Sequence, residues 1–109
     1  MSVRDRDLQG IIAASLTPVT EALEIDAGRL ASHVSRLLAQ GCSFVSTFGT
    51  TGEGASFSVA QKLDAVRKLV AAGIAPERLT PGVMSPTVDE AAAMLAGLDR
   101  LGCRAVVML

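Results

Sequence analysis

The sequence predicts an α/β fold in which helices cover a parallel sheet, with a (β/α)8 TIM barrel as the expected architecture. Apolar runs typical of buried strands alternate with segments of helical periodicity, in the order strand, helix, strand, helix, strand, helix, strand. Short connections separate these segments, and such alternation specifies a parallel sheet built from right-handed crossovers. Four strands are half of the eight that close a barrel, so the chain is expected to cover the first part of one. A flavodoxin-like open sheet is the alternative.

The first predicted strand is the near-continuous apolar run of residues 10–16. A run without alternation is typical of a strand that is buried on both faces. Residues 1–9 before it are polar and are expected to be loosely held. Thr17 and Pro18 end the strand, because proline cannot donate to a strand ladder and biases its predecessor toward extended geometry.

The first helix is predicted from Asp26, the expected N-cap, to a stop at Gly41. Its apolar residues recur at helical spacing along one face, and they are Leu30, Val34, Leu37 and Leu38. The only histidine, His33, lies beside this stripe, and no carboxylate or nucleophile is spaced to pair with it. A structural role is therefore expected for His33.

The second strand is predicted over residues 42–48 and is followed by a second helix. Ser58 and Gln61 match a capping box at the start of that helix, which is expected to end at Gly73. Its buried stripe consists of Leu63, Val66, Leu69 and Val70. The charged residues of this helix mostly lie off the stripe and are expected on a solvated face; they are Lys62, Asp64, Arg67 and Lys68.

The third strand is predicted over residues 79–84, although a proline and a glycine interrupt it. Thr87 and Glu90 match a second capping box, and the helix that they begin is closed by Gly102. The fourth strand is predicted over residues 103–109. Because the sequence stops inside an apolar strand, we expect these residues to be the amino-terminal half of a single barrel domain whose remainder lies beyond them.

Composition indicates a globular protein and limits its partners. Half of the residues are hydrophobic, 19% are charged and the net charge is −1, so neither nucleic acid nor an anionic membrane is expected as a partner. The apolar runs are too short to span a membrane and no signal peptide is evident, so a soluble, cytoplasmic protein is expected. Cys42 and Cys103 are expected to be buried reduced thiols; no metal site and no cofactor are predicted.

The turn between the second strand and the second helix carries the candidate site. It reads Phe48-Gly-Thr-Thr-Gly-Glu-Gly-Ala-Ser56 and places two hydroxyls and a carboxylate where α/β proteins keep their chemistry. Gly49, Gly52 and Gly54 are expected to allow positive φ and close backbone approach. Thr50 and Thr51 offer hydroxyl and N–H groups to an anionic oxygen of a small ligand. A glycine-rich connector that binds no ligand is the alternative.

This order of residues resembles the dihydrodipicolinate synthase and N-acetylneuraminate lyase family of pyruvate-dependent class I aldolases. The resemblance rests on Thr17-Pro18, Ile25-Asp26, Gly41 and, most specifically, Gly49-Thr50-Thr51-Gly52-Glu53. It implies a (β/α)8 barrel, commonly a homotetramer, in which a lysine forms a Schiff base with pyruvate or a related 2-keto acid for aldol condensation or cleavage. No cofactor is implied.

The resemblance also implies roles for residues of the turn. Thr51 is similar to the threonine that binds the pyruvate carboxylate, and Thr50 is similar to the hydroxyl that contacts substrate and relays protons together with tyrosines. Gly49, Gly52 and Glu53 are similar to structural members of the motif, with Glu53 expected near a helix start, where an acid is favourable.

Two departures from the family pattern qualify the resemblance. The chain has no tyrosine, and its lysines, Lys62 and Lys68, fall in the second helix, so a catalytic lysine is expected only beyond residue 109. The third strand closes with Gly82-Val-Met-Ser85 where the family often has a Gly-x-Gly-Ala-like turn. Alternatives are a non-catalytic barrel that binds a small carboxylate, or an inactive fragment; residues 1–109 alone are expected to be inactive.

Overall fold

The computed structural model describes residues 8–108 and has the predicted α/β fold. The expectation for the polar amino-terminal segment falls mainly on residues 1–7, which lie outside the described residues, as does Leu109. In chain order the elements are β1 (Ile12–Ala14), α1 (Ala27–Ala39), β2 (Phe44–Ser46), α2 (Val59–Ala71), β3 (Gly82–Val83), α3 (Val88–Arg100) and β4 (Val107–Met108). Short 3₁₀ helices occupy Gly54–Ser56 and Pro76–Arg78.

The four strands β1 to β4 pair in parallel, and one isolated antiparallel bridge, from Val19 to Ile25, lies in the loop before α1. β1 pairs with β2 and β3 pairs with β4, which gives two two-stranded sheets. A single parallel bridge between Val45 and Leu79 links them. Around it, the Thr80 N–H donates to the Val45 carbonyl at 3.0 Å and the Gly82 N–H donates to the Thr47 carbonyl at 2.7 Å. The four strands therefore run in one direction, and their carboxyl ends lie at the same edge.

The strands are shorter than the apolar runs predicted. The run of residues 10–16 contributes only Ile12–Ala14, and the run of residues 79–84 contributes only Gly82–Val83. In the second case the Thr80 and Gly82 N–H groups continue the ladder to the second strand, while Pro81 faces the fourth strand, where it can only accept, from the Val107 N–H at 3.0 Å.

The helices begin where the sequence predicts. The Asp26 carboxylate caps α1 by accepting the Arg29 N–H at 3.0 Å, and Ser58 and Gln61 form the full capping box of α2. The second predicted capping box is only half formed: Thr87 accepts the Glu90 N–H at 3.2 Å, but the Glu90 side chain returns no bond.

The hydrophobic core lies between the strands and the three helices. Its fully buried members are Leu30, Val34, Val45, Phe48, Val66, Leu69, Leu79, Val83, Met94 and Leu98. β1 is not buried on both faces as predicted: Ile11, Ile12 and Leu16 are 65%, 45% and 63% exposed. No residue of this strand belongs to the hydrophobic core formed within residues 8–108.

No helix among the described residues combines the length and the apolar character needed to cross a membrane.

Candidate functional site

The predicted turn lies at the carboxyl edge of the strands. It follows β2 and leads through the 3₁₀ helix Gly54–Ser56 into α2. In parallel α/β folds this edge is where loops from successive strands converge on a ligand, because every strand points its carboxyl end toward it.

Two backbone hydrogen bonds close the turn and leave its outer groups free. The Glu53 N–H donates to the Thr50 carbonyl at 3.1 Å, and the Gly54 N–H donates to the Gly49 carbonyl at 3.0 Å. Thr50 and Thr51 are both exposed. Within residues 8–108, neither their hydroxyls nor their N–H groups have a hydrogen-bond partner. The turn therefore presents up to four donor groups to a ligand.

Gly52 and Gly54 allow close backbone approach, as predicted. The prediction that the glycines of the turn adopt positive φ is wrong. Gly49, Gly52 and Gly54 all avoid the left-handed region, whereas Phe48 and Glu53 adopt it with φ of 58° and 52°. A Cβ on Gly52 would lie 2.9 Å from the Ser15 carbonyl oxygen, and one on Gly54 would collide with the Phe48 carbonyl. Crowding, not backbone freedom, is why glycine stands at Gly52 and Gly54.

Phe48 has a strained backbone conformation that the surrounding structure maintains. A bulky residue rarely adopts positive φ, and such strain persists only where neighbouring structure enforces it. The Phe48 side chain is fully buried and packs edge to face on Phe57, with ring centroids 6.3 Å apart and an interplanar angle of 71°. From β3, a Cβ on Gly82 would lie 2.6 Å from the Phe48 carbonyl oxygen. The backbone entering the turn is thus confined by the neighbouring strand.

Glu53 is exposed and its side chain makes no capping hydrogen bond. The element it precedes is a three-residue 3₁₀ helix rather than α2, whose first turn contains no acid. The Glu53 side chain therefore forms no capping bond at the helix start that it precedes, and its favourable charge interaction with that start stays a prediction. What Glu53 contributes in the structure is its left-handed backbone, which redirects the chain from the turn toward α2.

The two lysines of α2 have different environments, and the solvated-face prediction is wrong for Lys62. This residue is only 1% exposed. Burial lowers the pKa of Lys62, although the nearby Glu90 charge partly raises it. Lys62 lines a cleft of about 550 Å³ together with Ser85, whose buried hydroxyl has no partner within residues 8–108. Lys68 is exposed as predicted and pairs with Asp64 at 2.9 Å.

The other candidate groups lie away from the turn. His33 is half-buried on α1. Cys42 and Cys103 are free thiols and half-buried rather than fully buried. Burial, with a further contribution from Glu77, raises the pKa of Cys103 to about 11, so this thiol is a poor nucleophile at neutral pH. No group of three or more metal-ligating side chains occurs in the part of the chain that the structure describes.

Sequence reasoning missed three hydroxyl residues near the strands: Thr47 directly follows β2, Thr80 precedes β3 and Thr17 lies beyond β1. Thr47 and Thr80 are buried, and their hydroxyls have no partner among residues 8–108. Thr17, interpreted only as part of a strand stop, donates its hydroxyl to the Gly52 carbonyl at 2.6 Å. Thr17 could have been found from the sequence, because it is a hydroxyl residue just after the first strand. The end of that strand was expected at the same edge as the threonine turn.

Comparison with known proteins points to one family. Residues 7–109 match the model of the dihydrodipicolinate synthetase family. N-acetylneuraminate lyase from Homo sapiens is 36% identical over 74 residues, which are 67% of this chain and 23% of the human protein. Dihydrodipicolinate synthase from Agrobacterium tumefaciens superposes with a TM-score of 0.86 at 34% identity, over 91% of this chain and 34% of that one. The 2-keto 3-deoxygluconate aldolase from Picrophilus torridus, at 20% identity, shares the fold with a TM-score of 0.83, over 93% and 36% of the two chains.

The chain thus spans 23% of the length of its curated relative and about a third of the solved structures. These solved structures are (β/α)8-barrel enzymes, which accounts for the uniformly parallel strands and the helices on one side of them. Because the family match extends over nearly the whole sequence, this chain belongs to the dihydrodipicolinate synthetase family.

Proposed function

We propose that the complete protein is a lyase that forms a Schiff base between a lysine and pyruvate, for aldol condensation or cleavage of a 2-keto acid. Residues 1–109 would be the amino-terminal half of its single (β/α)8 barrel, and the reactive lysine would lie outside them. The observation that carries this proposal is the threonine turn, where exposed hydroxyls and unpartnered N–H groups stand together at the carboxyl edge of a parallel sheet.

The chemistry of the turn suits a keto acid. A carboxylate accepts several hydrogen bonds. The free hydroxyl and N–H of Thr51 can donate to it without first breaking a hydrogen bond within residues 8–108. The Thr50 hydroxyl can accept and donate a proton without becoming charged, which suits a relay between substrate and a stronger acid or base. In this proposal Thr51 holds the pyruvate carboxylate, while Thr50 acts in proton transfer.

Neither lysine of this chain fits the role of imine former. Both lie on α2 rather than at a strand end, and the amine of exposed Lys68 is held by Asp64 at 2.9 Å. Lys62 has a lowered pKa, which favours nucleophilicity, and the cleft that it lines includes Ala55 and Ser56 at the end of the turn, but neither Thr50 nor Thr51 lines that cleft. We therefore assign the Schiff base to a lysine outside residues 1–109.

Borohydride reduction in the presence of pyruvate tests the proposal. In the complete protein, mass spectrometry should find a reduced pyruvate adduct on a lysine outside residues 1–109. Absence of the adduct would overturn the Schiff-base mechanism, and if pyruvate still bound, the protein would be the non-catalytic carboxylate-binding homologue. An adduct on Lys62 or Lys68 would overturn our placement of the site.

Residues 1–109 expressed alone provide the matched control. They should trap no adduct, and they should self-associate, since Ile11, Leu16 and Met108 are 65%, 63% and 58% exposed beside unpaired strand edges. A monomer with cooperative unfolding in analytical ultracentrifugation and urea titration would contradict the half-barrel assignment. Assembly of the complete protein as a homo-oligomer and its cytoplasmic location stay predictions.

A further inference from the structure

Thr17 joins the end of the first strand to the threonine turn across 35 residues of sequence. Its hydroxyl donates to the Gly52 carbonyl at 2.6 Å. This is the single side-chain hydrogen bond that reaches residues 49–53 from elsewhere in the described part of the chain. A Cβ on Gly52 would lie 3.0 Å from the Thr17 hydroxyl oxygen and 2.9 Å from the Ser15 carbonyl oxygen, so the two segments are in close contact there.

The bond from Thr17 is the first of a chain of hydrogen-bonded peptide groups. The carbonyl of Gly52 belongs to the same peptide plane as the Glu53 N–H, which donates to the Thr50 carbonyl at 3.1 Å. The Thr50 carbonyl in turn shares its plane with the Thr51 N–H, which has no acceptor among residues 8–108. The series runs from the Thr17 hydroxyl through two peptide planes and ends at a free donor on the candidate site.

We propose that Thr17 is a positioning residue that aims and polarises the Thr51 N–H toward the substrate carboxylate. Fixing the Gly52 carbonyl restricts rotation of both peptide planes, and donors in series strengthen one another. Preorganised donors bind an anion without being reoriented when it arrives. The identity of the ligand as pyruvate rests on the proposed function; the positioning of the turn by Thr17 does not.

Thr17→Val in the complete protein removes the hydroxyl and keeps the shape of the side chain. Loss of one hydrogen bond in the series should raise KM for pyruvate about tenfold with little change in kcat, because the donor holds the bound carboxylate and not the transferred proton. Thr17→Ser, which restores the hydroxyl, should recover the KM of the natural protein.

Thr20→Val is the matched control. Thr20 lies in the same loop, and its hydroxyl accepts only the local Glu24 N–H at 3.3 Å, so KM should not change. An unchanged KM in Thr17→Val, or equal increases in Thr17→Val and Thr20→Val, would overturn the proposal. If Val at position 17 prevents folding, Thr17→Ala removes the same hydroxyl and is judged by the same criteria.

Amide hydrogen exchange separates this inference from the proposed function. Thr17→Val should accelerate exchange of the Glu53 N–H about tenfold, while Thr17→Ser and Thr20→Val leave it unchanged. Faster exchange in a protein that forms no pyruvate adduct would support the positioning role and reject the lyase. Unchanged exchange would reject the positioning role, whatever the activity.

Discussion

The two ends of the parallel strands use their polar groups in opposite ways. At the amino ends, Arg78 donates to the Cys42 and Ser43 carbonyls at 2.8 and 3.2 Å, and Gly10 packs so closely on Ser43 that a Cβ would collide with its side chain. At the carboxyl ends, the hydroxyl and N–H groups of Thr50 and Thr51 have no partner among residues 8–108.

Backbone strain follows the same division. The positive φ of Gly10 at the amino end costs little, because glycine has no Cβ. The positive φ of Phe48 and Glu53 at the carboxyl end is costly for residues that carry side chains. The amino edge therefore uses polar groups in internal bonds, and the carboxyl edge combines strained backbone with donors that have no partner among residues 8–108. This difference agrees with the general division in parallel α/β barrels, where stability is served at the amino ends of the strands and ligands bind at the carboxyl ends.

The largest expected effect is that of Thr50→Val on turnover in the complete protein. If Thr50 relays a proton, kcat should fall by about 10²–10⁴-fold while pyruvate affinity changes little, because a relay acts in the transition state. Steady-state kinetics and pyruvate binding measured side by side test this. Lost affinity with turnover intact at saturation would mean that Thr50 binds and does not relay.

Gly54→Ala should destabilise the fold more than any other single methyl group added in the turn. The new Cβ would meet the Phe48 carbonyl, a backbone atom that cannot move aside, at a cost of about 3 kcal/mol. Gly49→Ala is the control, because its Cβ would meet nothing closer than the Ser46 hydroxyl at 3.9 Å. Urea unfolding of both variants measures the contrast, and equal losses would show that the turn needs flexible glycines after all.

Thr51→Val should weaken pyruvate binding and leave the fold unchanged. Loss of a hydrogen bond to a charged group costs about 1.5–3 kcal/mol, which is roughly a 10- to 150-fold rise in Kd. Isothermal titration with pyruvate measures it, and an unfolding midpoint equal to that of the natural protein serves as the control. Unchanged affinity would remove Thr51 from the carboxylate site.

Arg78→Met should have the smallest effect, and only on stability. Because Arg78 is exposed, losing its two bonds to carbonyls should cost about 1 kcal/mol in the free energy of unfolding, with kcat and pyruvate affinity unchanged. Arg104→Met, at an exposed arginine without a hydrogen bond in the described residues, should cost less. A catalytic defect in Arg78→Met would contradict the view that the amino ends of the strands serve stability alone.

Local sequence signals located the candidate site but did not give its internal geometry. Glycines and hydroxyl residues between an apolar run and a capping box marked the turn, and the Ser58 and Gln61 box that follows it is formed. The positive φ of Phe48 and Glu53 could not be foreseen, since no local propensity favours it. At Phe48 it occurs where Gly54 and Gly82, the latter on the neighbouring strand, approach the carbonyl closely.

Burial of Lys62 shows the same limit in a helix. Helical periodicity placed it off the apolar stripe, and a lysine off that stripe is normally solvated. In the structure Lys62 lies on the same face of α2 as the buried residues Ala65, Val66 and Leu69, which follow it at helical spacing. The true buried face is therefore rotated from the predicted stripe, because a stripe drawn from hydrophobicity alone excludes a lysine.

By itself the sequence determined the α/β class, the caps of the helices and the position of the threonine turn, because these depend on hydrophobic period and on hydrogen bonds within a few residues. Only the tertiary structure decided the bond from Thr17 to Gly52, the strained backbone at Phe48 and the burial of Lys62. Each of these arises where segments distant in sequence meet at fixed distances. The physical reason is that contact between such segments is set by how the strands and helices pack together, which no local pattern encodes.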